Sequence, residues 1–137
     1  MTSDRLLLDT VFIQALLNRN DQYHKVAKAI LPQVRSAAQV WVTEAVLVEA
    51  ANGLSSYDRE GVARFIDRCY RTANLRVVGV DTSLLSRALT LYRKRLDKEW
   101  SLTDCISIVV MQEQGIVEAV TADDHFIQAG FSISLPA

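Results

Sequence analysis

Three carboxylates stand alone in apolar stretches of this chain. Asp9 is the only charged residue between Arg5 and Arg19, Glu49 the only one between Glu44 and Asp58, and Asp104 the only one between Glu99 and Glu113. No basic side chain lies inside these windows to neutralise them. Burying an ionised carboxylate without a partner costs on the order of several kcal/mol. Convergence on a divalent cation relieves that cost for several carboxylates at once. Oxygen-only ligands, with no Cys or His, point to magnesium or manganese. An acidic site of this kind suits phosphodiester hydrolysis, in which the ion polarises the phosphate, lowers the pKa of an attacking water and neutralises the leaving oxygen. The sequence leaves open whether one ion binds or two.

Glu49 is the sharpest case. On a helix its near neighbours are Val46 and Ala50, with Gly53 one turn further on, so it is expected in the middle of an apolar stripe. Glu44 lies roughly 140° around the helix and does not share that face. Each acid also has a plainer reading. Asp9 would cap a helix before Thr10 and Val11. Ser101 and Asp104 fit a capping box. Asp123 and Asp124 would start a turn and a short helix. Glu49 would be a partly exposed glutamate.

Hydrophobic period defines the elements that must position these residues. Leu6 to Leu8 predicts a buried strand ending at Asp9, followed by a helix over 11–17. Asp21 is expected to cap a second helix through Val34, weakened near its end by Pro32. Val40 to Val42 is a strand. Thr43 caps a third helix to about Leu54, and Asp58 begins a fourth through Arg71. Leu75 to Val80 is a strand, and Thr82 caps a helix ending near Leu96. Ser101 opens a helix to about Gln114 with Gly115 as its stop. Ala119 to Thr121 is a strand, a short helix follows over 124–129, and Ile133 marks an edge strand. Strands alternating with helices make an α/β domain with a mainly parallel sheet. Ligands of such sheets sit beyond the carboxyl ends of the strands, where Asp9 and Asp123 both fall.

At 137 residues, half of them hydrophobic, the chain predicts one domain spanning 1–137. No apolar run is long enough to cross a bilayer, so no membrane association is expected. The start lacks signal-peptide features, and Cys69 and Cys105 have no metal or redox spacing, which together imply a reduced cytoplasmic location. A net charge of −1 gives no broad basic footprint. The one local concentration, Arg87, Arg93, Lys94, Arg95 and Lys98, reads as a solvated helix face offset by Asp97 and Glu99. Contact with RNA is the other use open to it. His24 is expected on an exposed helix face and His125 at the surface, with a contact to substrate as the alternative. Cys105, Trp41 and Trp100 read as packing. There is no P-loop, dinucleotide fingerprint or nucleophile elbow.

Four stretches in order carry a resemblance: Leu7-Leu-Asp-Thr10, Val46-Leu-Val-Glu-Ala50, Ser101-Leu-Thr-Asp-Cys105 and Thr121-Ala-Asp-Asp-His-Phe126. In these the chain resembles the PIN-domain family, in particular the VapC-type toxins of toxin–antitoxin pairs. The resemblance implies a three-layer α/β fold with about five parallel strands flanked by helices. It implies a magnesium- or manganese-dependent endoribonuclease with Asp9, Glu49, Asp104 and Asp123 as the acidic quartet, Asp9 and Asp104 being the firmest metal ligands. It also implies a supporting role for Thr121, with Asp124 as the substitute for Asp123. The partners implied are an RNA substrate, a small antitoxin and a second copy in a homodimer.

Three other readings compete. A haloacid-dehalogenase-like phosphatase needs a second aspartate two residues after the first, and Val11 occupies that place. A phosphoacceptor receiver would use Asp81 after its strand, but lacks the lysine expected near the C-terminus. A PIN-like module that only binds RNA or protein would not need the quartet intact.

Overall fold

The computed structural model describes residues 4–135. The elements run β1 (Arg5–Leu8), α1 (Thr10–Leu17), α2 (His24–Ser36), β2 (Gln39–Thr43), α3 (Glu44–Arg71), β3 (Leu75–Val78), α4 (Thr82–Lys94), α5 (Leu102–Gln114), β4 (Glu118–Val120), α6 (His125–Gln128) and β5 (Ser132–Ile133). All four strand pairings are parallel, in the order β3-β2-β1-β4-β5. The expected parallel α/β sheet of about five strands is therefore present.

Strand alternation builds the two helical layers. Leu6 and Leu8 of β1, Val40 and Val42 of β2 and Val120 of β4 face one core, which α1, α2 and α3 cover. Leu7, Trp41 and Ala119, the residues between them, face the other core, covered by α4, α5 and α6. Because both faces are buried, the middle positions of these strands are apolar, with polar residues such as Arg5, Gln39 and Glu118 at their starts. No helix among the described residues is long and apolar enough to cross a membrane.

Local signals place most helix ends. The Thr43 hydroxyl accepts the Val46 amide at 3.2 Å, as a cap should. Ser101 and Asp104 form the full capping box, and Gly115 closes α5 in the left-handed conformation at φ 68°. The two helices expected around Asp58 are one span broken there. Asp58 has extended backbone angles, and its carboxylate accepts the Gly61 amide at 2.9 Å, starting the helix afresh.

Several expectations are corrected. Asp81, not Thr82, caps α4, accepting the Leu84 amide at 2.8 Å. Asp21 bonds the Tyr23 amide at 2.8 Å in a turn, and α2 starts only at His24. A side-chain bond two residues ahead closes a turn, whereas a cap reaches the second or third helical amide. His24 is half-buried, with Nδ1 2.8 Å from the Ala15 carbonyl, so it ties α2 to α1 and does not face solvent freely. β3 ends at Val78 and α4 at Lys94, each two residues short of expectation.

Gly115→Ala is expected to cost about 1 kcal/mol, read from the urea midpoint. Its Cβ would meet nothing closer than Arg5 at 3.8 Å, so the loss measures left-handed backbone strain alone.

Candidate metal centre

The sheet order places a crevice between β1 and β4. From β1 the chain moves outward through β2 and β3, then returns to build β4 and β5 on the other side. Such a switch point, at the carboxyl ends of the strands, is where open parallel sheets hold ligands. Asp9 follows β1 directly, and Thr121 follows β4.

Asp9 sits at the N-cap of α1, yet its side chain makes no cap bond. Its carboxylate accepts the Thr121 hydroxyl at 2.8 Å instead. The same hydroxyl accepts the Asp123 amide at 3.0 Å, so one oxygen links β1, β4 and the loop beyond. Asp104 enters from α5. Its Oδ2 accepts the Ser101 amide at 3.1 Å, which fixes the carboxylate while leaving it able to bind elsewhere. Asp123 Oδ1 accepts the His125 amide at 2.9 Å in a tight turn. The capping and turn readings of Asp104 and Asp123 therefore hold alongside a shared site.

His125 stands inside this group, which corrects its expected place at the surface. Its Nδ1 lies 2.9 Å from Asp104 Oδ2 and 3.2 Å from Asp123 Oδ1. Ligand atoms of Asp104, Asp123 and His125 all fall within 4.8 Å of one another. The only available signal was its place two residues after Asp123, where a tight turn brings it back toward that carboxylate.

The electrostatics are those of a site lacking positive charge. Asp9 is 3% exposed. Burial raises its pKa from 3.8 to about 7; the Thr121 bond opposes this, and the charges of Asp104 and Asp123 add to it. Partial burial works against a charged His125, but its bond to Asp104 and the carboxylates of Asp123, Asp104 and Asp124 outweigh that and raise its pKa above 6.5. Two buried hydroxyls, that of Thr10 next to Asp9 and that of Ser107 three residues after Asp104, have no hydrogen-bond partner among the described residues. Asp104 and Asp123 stand within ligand reach of one another, and Asp9, outside that 4.8 Å group, is close enough to feel both charges; this donor set fits a divalent cation.

Glu49 is the correction of most consequence. It is exposed and not buried in a stripe. The buried residues of this part of α3 are Val46, Leu47, Ala50 and Leu54, and Glu49 projects roughly 115° from their centre. It lines a groove of about 520 Å³ with Glu44, Ala45, Val48, Asn52, Val80 and Thr103. Of the residues lining it, Thr103 is the chain neighbour of Asp104. Asp124 stays exposed at the start of α6 and makes no cap bond. The basic run is largely tied down: Arg87 pairs with Glu113 at 2.6 Å, and Arg95 and Lys98 both pair with Asp97. Arg95 also lies over the buried Trp100 ring. Asp81 spends its carboxylate on the α4 cap, which removes the feature that favoured a receiver.

No curated protein sequence matches this chain. Among solved structures, the Mycobacterium tuberculosis toxin VapC20, described as cleaving the sarcin–ricin loop, is 27% identical with a TM-score of 0.85, covering 96% of this chain and 99% of that one. VapBC2 from Rickettsia felis, bound to a DNA fragment from its promoter, is 13% identical with a TM-score of 0.67, over 95% and 97% of the two chains. A toxin–antitoxin complex from Klebsiella pneumoniae is 17% identical with a TM-score of 0.64, over 96% and 98%. The latter two likenesses show the fold alone. The PIN domain family model matches residues 6–132, a span that begins in β1, ends in β5 and takes in every acid of the crevice, and the chain accordingly belongs to the PIN-domain family.

Proposed function

We propose that this chain is a magnesium- or manganese-dependent endoribonuclease and the toxin of a toxin–antitoxin pair. The observation that carries the reading is the meeting of Asp9, Asp104 and Asp123 at one crevice from three separate elements. A phosphodiester is itself anionic and would be repelled by these carboxylates, so the site works on RNA only with positive charge between them. A bound divalent ion supplies that charge, polarises the scissile phosphate and activates water.

The chain's own residues do the positioning. Thr121 holds the Asp9 carboxylate in one orientation, and Ser101 holds that of Asp104. Burial of Asp9 at 3% exposure excludes bulk water from the deepest part of the crevice. The open groove beside it offers Asn52 and Thr103 as neutral hydrogen-bonding groups for an RNA strand. Glu49 acts from this groove as the fourth acid, at the rim of the site.

VapC20 is described as cleaving the sarcin–ricin loop, which makes that ribosomal stem-loop the first substrate to try here. An antitoxin partner agrees with the complexes among the structural neighbours. A second groove, of about 300 Å³, is lined by apolar side chains of α1, α2 and α3 and rimmed by the exposed Arg35 and Arg68. It suits an amphipathic segment carrying acidic residues. Function as a homodimer in the cytoplasm completes the reading, and the two cysteines are free, as a reducing compartment requires.

Cleavage of the stem-loop in manganese should fall at least about 100-fold in Asp9→Ala and Asp104→Ala, and less in Glu49→Ala, in a gel assay of end-labelled RNA. Cutting that persists in Asp9→Ala, or needs no divalent ion, would refute the reading.

Metal removal has a signed effect on stability. Asp9 ionises near 3.8 when unfolded and near 7 in the folded, metal-free chain. Between those values the fold holds a proton that the unfolded chain has released, so stability falls as pH rises from about 4 to about 7 and then levels. The loss from Asp9 amounts to up to about 4 kcal/mol. His125, raised above 6.5, adds a loss of the same sign at higher pH. Thermal melts in EDTA should show this decline, Asp9→Asn should flatten its lower part, and manganese at pH 7.5 should raise Tm in the parent but much less in Asp9→Asn.

A further inference from the structure

We infer that His125 is a nitrogen ligand of the metal and sets the site's preference for manganese over magnesium. This rests on the metal-site reading above and goes beyond the acidic quartet that reading assigns.

Two carboxylate oxygens converge on one ring nitrogen. Asp104 Oδ2 is 2.9 Å from His125 Nδ1, and Asp123 Oδ1 is 3.2 Å away. A single nitrogen carries at most one proton, so these two anions are served poorly by a hydrogen bond alone. Neighbouring ligands of an octahedral ion with bonds of about 2.1 Å are separated by about 3.0 Å. The three atoms already stand at that separation along the two edges that meet at the nitrogen.

The chain's own hydrogen bonds hold the arrangement. The His125 amide bonds Asp123 Oδ1 at 2.9 Å, so the residue and its partner carboxylate belong to one turn. Asp104 is fixed by the Ser101 amide. The next residue, Phe126, is fully buried and anchors the start of α6. His125 itself is only partly exposed, its side chain at 25%. Losing the proton from Nδ1 frees its lone pair toward the two carboxylates, and the other ring nitrogen then carries the hydrogen.

A nitrogen donor changes which ion is favoured. Carboxylate and water ligands suit magnesium and manganese alike, whereas imidazole favours transition metals. The remaining protein ligands are carboxylates, so the preference falls on manganese within a site that still accepts magnesium.

The test uses manganese as the probe and does not depend on RNA cleavage. Pulsed electron paramagnetic resonance of the manganese-loaded protein should show nitrogen-14 coupling of a directly bound imidazole. His24→Gln should keep that signal and His125→Ala should lose it. Calorimetric titration should show manganese affinity falling about tenfold in His125→Ala, with magnesium affinity changed much less. The parent spectrum stands even if His125→Ala folds poorly. Manganese bound to the parent without nitrogen coupling overturns the ligand role and leaves the acidic site intact. Failure of the parent to bind manganese overturns both.

Discussion

Mutual repulsion among carboxylates is the constraint around which this molecule is arranged. Asp9, Asp104 and Asp123 bring like charges together at the end of a buried sheet, where water screens them least. Left to themselves they would protonate or swing apart. The structure prevents the second outcome with fixed donors: the Thr121 hydroxyl on Asp9, the Ser101 amide on Asp104 and the His125 amide on Asp123. Hydrogen bonds to charged groups contribute about 1.5–3 kcal/mol each, enough to hold an orientation though not to cancel the repulsion. Burial is the main cause of the raised pKa of Asp9, and the repulsion adds to it. A site held in this way is geometrically fixed and electrically incomplete.

The donors work because they belong to rigid elements. Thr121 lies at the end of β4, hydrogen-bonded beside β1, and Ser101 is the N-cap of a 13-residue helix packed into the core. Its capping box does two jobs with one carboxylate: it closes the first turn of α5 and orients an acid of the crevice. The economy has a consequence for substitution, because replacing Asp104 removes a cap as well as a charge. Asp123 is likewise both a turn former and a member of the site. Asp9 alone has abandoned its local role, leaving the α1 cap unmade to reach Thr121.

Around this centre the surface divides into faces of different character. The groove carrying Glu44, Glu49, Asn52 and Thr103 is open, with two acids over a largely apolar lining of Ala45, Val48 and Val80. The groove among α1, α2 and the later part of α3 is apolar with arginines at its rim. In the basic segment from α4 into the loop before α5, Arg87, Arg95 and Lys98 are paired with Glu113 and Asp97.

What the sequence determined by itself is everything that depends on neighbours a few residues away. The caps at Thr43 and Ser101, the restart at Asp58, the left-handed stop at Gly115 and the apolar strands all follow from local hydrogen bonding and period, and the acids were visible because no countercharge lies near them in sequence. Tertiary structure decided the rest. Thr121 reaches Asp9 across 112 positions, a contact set by strand order that no local pattern encodes. The face of α3 turned to the sheet put Glu49 outside the buried stripe, although the same spacing in sequence placed it within. His125 entered the acidic group because a turn after β4 folds back over α5. Local energies choose the elements, but only their packing brings distant charges within reach of one another, and the chemistry resides in those distances.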